Sequence, residues 1–224
     1  MLIVAIDTSG RKGSIAVCCG DRDTFEVLQL TPLEGGTYSA LLMPSIAEAL
    51  KAQHLSKADV DGLVAVSGPG SFTGLRVGLS TVKALCEVLR KPLATVSMLE
   101  AIALTYGQEA QTVTALLDAG RGESFVGKYR VAGGHAQPVQ EYIAKVEALL
   151  KDIAALPTPI LTPDSKLAEA LQSGAATVVA AVRADEIGRI GIRKLAAGET
   201  ADPETVDANY IRRSDAEIFA TKKH

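Results

Sequence analysis

The sequence predicts an α/β fold of two similar lobes, each a mixed sheet flanked by helices, and two observations support this prediction. Apolar, β-branched runs alternate with segments of helical periodicity, and the order strand, strand, helix, strand, helix occurs twice along the 224 residues. A hydrophobic content of 47% lets a chain of this length bury a large core. We place the boundary at residues 105–111, which gives lobes of residues 1–108 and 109–224.

The first half begins with a hairpin and then alternates strands with helices. Two apolar runs are separated by the letters TSGRKG, a composition that favours a turn. A continuous apolar run at 62–68 ends in Gly-Pro-Gly, which is typical of a buried parallel strand. The predicted elements are strands at 2–7, 14–19, 24–30, 62–68 and 92–97, and helices at 38–54, 73–90 and 98–107.

The second half repeats this order. It opens with a second predicted hairpin, after which helices and strands alternate again. The predicted elements are strands at 112–119, 124–131, 158–162 and 176–182, helices at 146–155, 165–173 and 187–197, and an extended segment at 210–213.

Composition and charge exclude several classes of protein. A net charge of −3 and an isoelectric point near 5.7 give no basic field for nucleic acid, so we expect any nucleic acid to be held mainly by a partner. The apolar run at 175–182 is too short to cross a bilayer, and no basic segment precedes the apolar N-terminus, so we expect a cytoplasmic protein without membrane contact. The three cysteines and three histidines show neither a disulfide framework nor metal-ligand spacing, and we predict no metal site.

The stretch GPGSFTGLRVGLS at 68–80 combines glycines, hydroxyls and an amphipathic helix, as phosphate-binding loops do. A P-loop needs a lysine directly after its last glycine, but the nearest lysine is Lys83, nine residues past Gly74. We therefore predict a packing role: the Gly-Pro-Gly ends a strand, Ser71 or Thr73 caps the helix, and Gly74, Gly78 and Thr81 form a stripe of small side chains.

The opening AIDTSGRKGSIAV resembles the first hairpin of the actin, sugar-kinase and Hsp70 superfamily. The resemblance implies two actin/Hsp70-like, ribonuclease H-like lobes. It also implies that Asp7, Thr8 and Ser9 approach a nucleotide's phosphates, with the Asp7 carboxylate helping to hold a metal. The alternative is that these three residues only close a turn through side-chain to backbone hydrogen bonds.

A second resemblance covers nearly the whole chain and is to the TsaB family, also called YeaZ, of bacterial tRNA threonylcarbamoyladenosine biosynthesis. It is carried by AIDTS, SALLMPSI, GPGSFTGLRVG, KPLATVSMLEA, DAGRGESF and NYIRR, in the order of that family. The sequence departs from the family pattern at Tyr38, often a histidine, at Gly120, expected as arginine, and at Ala208, commonly proline.

This resemblance implies a non-catalytic partner of the transferase TsaD, which assembles with TsaD and the ATPase TsaE and forms a homodimer when alone. TsaD carries an HxxxH metal motif after its fifth strand, and here Met98 and Ile102 stand at the two histidine positions. A thioether is a poor ligand for hard or borderline cations and an alkyl group is none, while Glu100 alone makes no catalytic site. We therefore predict no cofactor for the chain itself, with ATP or ADP only in the complex.

The resemblance also places the pairing surface on the two helices of the first lobe. The predicted interface consists of Tyr38, Leu41, Leu42, Gly74, Leu75, Gly78 and Thr81. The alternative is that the glycines pack inside their own lobe, against its sheet.

Two other functions remain open. One is a stand-alone ATP-dependent kinase-like or acyl-transferring enzyme that uses Asp7 and Asp118. The other is a metal-dependent protease, which Met98 and Ile102 disfavour. Nucleophilic catalysis has little support, since Ser67, Ser71 and Ser80 have no histidine nearby in the sequence and Cys86 lies within an apolar helical pattern.

Overall fold

The computed structural model describes residues 1–105, 111–153, 158–171, 175–209 and 211. Ten strands and six helices are found within these ranges. The strands are β1 (Leu2–Asp7), β2 (Lys12–Gly20), β3 (Phe25–Glu34), β4 (Gly62–Gly68), β5 (Leu93–Ser97), β6 (Gln111–Gly120), β7 (Glu123–Ala132), β8 (His135–Lys145), β9 (Ile160–Thr162) and β10 (Thr177–Val178). The helices are α1 (Tyr38–Ala52), α2 (Phe72–Leu89), α3 (Met98–Leu104), α4 (Val146–Ile153), α5 (Ser165–Ala170) and α6 (Ala184–Ala196).

The predicted fold class is confirmed, because the strands form two mixed five-stranded sheets. The first sheet has the order β3-β2-β1-β4-β5, and the second has the order β10-β9-β6-β7-β8. Each sheet contains an antiparallel hairpin, β1 with β2 in the first sheet and β6 with β7 in the second. A parallel strand pairs with the first strand of each hairpin: β4 with β1, and β9 with β6.

The division into two units differs from the predicted boundary at residue 108. Residues 183–209 belong to the first unit together with residues 1–98, and the second unit is built around residues 99–182. The reason is that α6 packs against β1, β2, β4 and β5 of the first sheet. The contact is close, since a Cβ on Gly191 of α6 would overlap the Val64 side chain. The chain therefore returns to its first sheet after completing the second, and a single cut in the sequence cannot separate the units.

Each unit has its own apolar interior. In the first, β1 is almost wholly buried, and its alternate residues Ile3 and Ala5 lie within contact distance of a Cβ built on Gly188 of α6. In the second, a buried cluster joins the sheet to α4 and α5; its members are Leu116, Val126, Leu149, Ile160, Leu167 and Leu171.

Several predicted elements need correction. Strand β8 was not predicted, the expected strand at 176–182 is reduced to Thr177–Val178, and α6 begins three residues earlier than expected. The predicted helix ends at 106–107, 154–155 and 172–173 lie outside the described residues, as does all but Ile211 of the extended segment at 210–213. Within the described ranges, no helix is long and apolar enough to span a bilayer.

Candidate functional site

The turn from β1 to β2 is closed by Asp7 and Ser9. The Ser9 amide and hydroxyl both donate to Asp7 Oδ1, at 2.9 and 2.6 Å. Burial raises the pKa of the Asp7 carboxyl above its ordinary value, although the two bonds from Ser9 lower it in part. Of the two interpretations of this hairpin, the structure shows the turn-closing one; a metal on Asp7 remains a prediction from resemblance.

Thr8 packs directly against the glycines of α2. Its hydroxyl donates to the Gly74 carbonyl at 2.8 Å in a buried hydrogen bond. A Cβ on Gly74 would overlap the Thr8 carbonyl oxygen, and a Cβ on Gly78 would overlap Thr8 Oγ1. The expectation that these glycines form an outward stripe for a partner is therefore wrong: they let α2 approach the end of β1.

The start of α2 is fixed to the same hairpin. The Ser71 hydroxyl caps the helix by accepting a hydrogen bond from the Gly74 amide at 3.3 Å, so Ser71 rather than Thr73 is the N-cap residue. The Ser71 amide donates to the Ser9 carbonyl at 2.6 Å. Lys83, the lysine nearest the motif, donates instead to the carbonyls of Glu204 and Val206, so GPGSFTG is not organised as a P-loop here.

The start of α1 holds the other side of the hairpin tip. The Tyr38 hydroxyl donates to the Gly10 carbonyl at 2.7 Å, and the Gly35 amide before the helix donates to the Arg11 carbonyl at 2.6 Å. Burial and the nearby carboxylates of Asp7 and Glu34 raise the pKa of Tyr38 to about 12, so the hydroxyl keeps its proton and remains a donor. Both helices are thus tied to one turn.

A cavity of about 690 Å³ lies between the hairpin tip, the β3–α1 loop and the first turns of α1 and α2. Its charged side chains are Arg11 and Glu34, which oppose one another in sign; the other lining residues are Gly10, Gly35, Gly36, Tyr38, Ser39, Ser71, Thr73, Gly74 and Val77. The contribution of residues 34–36 to a cavity was not predicted, although the adjacent glycines Gly35 and Gly36 were an available signal. One guanidinium is too little charge to hold a triphosphate in this cavity.

Most of the predicted interface residues are buried within the chain itself. Leu41 is exposed and Thr81 is half-buried, whereas the interior holds Tyr38, Leu42, Gly74, Leu75 and Gly78. Interior residues give no contact area to a partner, so their predicted role in pairing needs this correction. The physical reason is that the apolar stripe of each helix packs on its own sheet.

The outer surfaces of α1 and α2 nevertheless carry exposed large apolar side chains. Leu41 is 46% exposed, Met43 50%, Phe72 38% and Val88 73%. We call these four residues the α1–α2 face. The Arg76 guanidinium lies 4.0 Å from the centre of the Phe72 ring, which keeps a cation beside this surface. Sequence reasoning missed Met43, Phe72 and Val88.

The positions that would correspond to metal ligands are apolar and buried. Met98 and Ile102 lie one turn apart on α3 and are 6% and 0% exposed. Glu100 on the same helix is largely buried. No group of three His, Cys, Asp or Glu side chains in the part of the chain that the structure describes is arranged to hold a metal ion.

Known proteins similar to this chain include several TsaB proteins. It is 32% identical over 139 residues to the tRNA threonylcarbamoyladenosine biosynthesis protein TsaB of Bacillus subtilis, covering 62% of this chain and 59% of that protein. It is 30% identical over 132 residues to TsaB of Escherichia coli, covering 58% and 55%. The chain thus spans little more than half the length of these curated relatives. It is also 50% identical over 60 residues to a tRNA N6-adenosine threonylcarbamoyltransferase of Rhizobium etli, which is 27% of this chain and 16% of that protein.

Solved structures support the fold. YeaZ from Pseudomonas aeruginosa superposes with a TM-score of 0.76 at 22% identity, over 93% of this chain and 99% of that one. The resemblance to TsaB and YeaZ seen in the motifs is confirmed by these relatives. The family model described as "TsaD: tRNA N6-adenosine threonylcarbamoyltransferase" matches residues 35–198, well over half of the chain. The chain therefore belongs to the TsaD family.

Proposed function

We propose that this chain takes part in tRNA threonylcarbamoyladenosine biosynthesis in the cytoplasm as a non-catalytic partner of a TsaD transferase, in an assembly that includes the ATPase TsaE. Membership of the TsaD family supports the pathway, and the names of the TsaB relatives support the role of a biosynthesis partner.

The observation that carries the non-catalytic part of this proposal is the side-chain chemistry of α3. The resemblance places the transferase's two metal-binding histidines at Met98 and Ile102, and both side chains here are buried. Neither offers a nitrogen or oxygen donor, and their burial in apolar contact stabilises the fold. With apolar core residues at the two positions where the transferase has metal ligands, this chain would keep the fold of the transferase but would not bind its metal.

The α1–α2 face supports the proposed pairing with TsaD. Among the described residues, eight large apolar side chains are exposed, and half of them belong to this face. Phe72 and Val88 lie near opposite ends of α2, so these side chains are spread along two helices that contact each other, and they mark this helix pair as the region that a partner covers. A related protein with equivalent helices can pack against the face by a pseudo-two-fold arrangement, and a second copy of this chain can do the same when TsaD is absent.

The charge and the cavity support the remaining parts of the proposal. A chain with a net charge of −3 binds the tRNA phosphate backbone poorly, so the tRNA contact is indirect, through TsaD. The cavity beside the hairpin is lined by one cationic side chain, Arg11, and one carboxyl group, Glu34. ATP or ADP therefore binds only where a partner supplies further cationic groups.

The pairing is tested with two double variants that are matched in exposure. Leu41→Asp with Val88→Asp places one charge on each helix of the α1–α2 face, whereas Val139→Asp with Val178→Asp places two charges on exposed strand residues, 60% and 53% exposed, of the second sheet. All four side chains are exposed, so both variants should keep wild-type circular dichroism. We expect the first to lose co-purification with TsaD and self-association in sedimentation, and the second to keep both. Wild-type affinity of the first variant for TsaD would contradict the proposed surface.

A further inference from the structure

Residues 201–209 follow α6 along the chain and run over the first unit with one internal turn; we call this segment the strap. The strap begins at the edge of the first sheet, where the Ala201 amide donates to the Leu93 carbonyl of β5 at 2.8 Å. Because β5 is an edge strand, this contact covers a backbone carbonyl that another strand would otherwise pair with.

The middle of the strap is held by one side chain of α2. The Lys83 ammonium donates to the Val206 carbonyl at 2.9 Å and lies 3.4 Å from the Glu204 carbonyl. Within the strap, the Val206 amide donates to the Asp202 carbonyl at 2.9 Å, and this hydrogen bond closes a turn. The lysine therefore joins a preformed turn to the helix through charge-assisted hydrogen bonds.

The end of the strap reaches the end of β4. The Asn209 amide donates to the Ser67 carbonyl at 2.7 Å, and the preceding Ala208 is buried. Gly68 has φ of +130°, and a Cβ there would lie 2.8 Å from the Asn209 carbonyl oxygen. Glycine at position 68 therefore allows the Asn209 backbone of the strap to lie directly against the end of β4.

The strap is attached more weakly than the sheet it covers. Ala208 is its one buried side chain, so little apolar area holds it in place. Segments with few buried apolar contacts open locally at a free energy well below that of global unfolding. In contrast, β4 is buried along most of its length and pairs on both sides.

We propose that the strap is a latch that opens and closes while the first unit stays folded, with Lys83 as the residue that holds it closed. Closure protects the edge of β5 and fixes the chain beside the GPGSFTG motif. Opening uncovers the Leu93 carbonyl at the edge of β5, while the Thr95 carbonyl stays bonded to Lys194 of α6, and it frees the end of β4. This inference stands on contacts within the chain and is independent of the proposed pairing with TsaD.

The test is native-state hydrogen exchange of the full chain at low urea concentrations. The amides of Ala201, Val206 and Asn209 should exchange through an opening that is insensitive to urea, whereas amides of β4 should exchange through global unfolding. Equal protection and equal urea dependence of the two sets would overturn the latch, and this measurement needs no variant.

A matched pair of variants tests the role of Lys83. Lys83→Met keeps the length and apolar stem of the side chain but removes the donor, and we expect exchange of the strap amides to rise about tenfold with β4 unchanged, as fits the loss of a partly exposed charged hydrogen bond. Lys57→Met, at an exposed lysine, should leave both sets unchanged. Unchanged strap exchange in Lys83→Met, or an equal change at every amide, would refute the proposal.

Discussion

Adding one methyl group at Gly74 or Gly78 tests how α2 packs against the hairpin. In a free helix, Gly→Ala is favourable by about 1 kcal/mol because alanine has the higher helix propensity. Here the new Cβ would overlap the carbonyl oxygen of Thr8 at Gly74, and its hydroxyl oxygen at Gly78. The packing we describe therefore predicts destabilisation, whereas an outward stripe would predict stabilisation.

The two glycines should differ in magnitude, because different atoms of Thr8 oppose them. At Gly78 the Thr8 side chain can rotate away, which breaks its 2.8 Å bond to the Gly74 carbonyl. Overpacking typically costs about 1–3 kcal/mol, and the lost hydrogen bond about 0.5–1.5 kcal/mol. After the gain in propensity, Gly78→Ala should cost about 1–3 kcal/mol. Gly74→Ala should cost more, since a backbone carbonyl can move only with the hairpin.

The assay is urea unfolding with a double-mutant cycle. Thr8→Ala removes the hydroxyl that opposes Gly78, so in the double variant the cost of Gly78→Ala should fall by about 1 kcal/mol, within the range seen for contacting residues. Gly74→Ala should show no such relief. The control is Gly10→Ala in the hairpin, whose Cβ would meet Lys12 O at 3.6 Å and Lys12 N at 3.9 Å, both ordinary contact distances, and which should be near neutral. Wild-type or higher stability of Gly74→Ala and Gly78→Ala would refute this packing.

Two further predictions concern the hairpin and its cavity. Burial raises the folded-state pKa of Asp7, so the folded chain binds the extra proton and stability contributed by this group falls as pH rises from about 4 through the raised value. Asp7→Asn should therefore be more stable than wild type at pH 7, with an advantage that shrinks towards pH 4. The control is Asp59→Asn, which should be less stable than wild type at pH 7, because hydrogen bonds from Ser56 lower the pKa of Asp59. Equal dependence of stability on pH in the two variants would contradict this account. Calorimetry of the isolated chain should show weak or no ATP binding, since Arg11 is the single cationic side chain among the cavity's lining residues, and micromolar affinity would favour the stand-alone enzyme.

Local patterns predicted most of the first unit. Alternating and continuous apolar runs gave β1, β2, β4 and β5, and the helical spacing of Leu75, Leu79 and Val82 gave α2. The sequence also showed that Gly74 and Gly78 share one face of that helix. It could not show which neighbour that face meets, because the answer depends on where Thr8 lies in three dimensions.

Features set by long-range contacts were missed. Strand β8 contains Pro138 and is largely exposed, so it shows neither a buried run nor a clean alternation, and its pairing with β7 defines it. The placement of α6 in the first unit could not be read from order along the chain. The exposed residues Met43 and Val88 were missed for the related reason that periodicity locates the buried side of a helix more readily than the outer residues a partner covers.

The central claim is most directly tested by reconstituting threonylcarbamoyl transfer to tRNA from purified TsaD and TsaE, with and without this chain, and with this chain alone. A non-catalytic partner predicts that modified tRNA forms rapidly when all three proteins are present, falls strongly when this chain is omitted, and is absent with this chain alone. Modification of tRNA by this chain alone, or a transfer rate unaffected by its omission, would contradict the account.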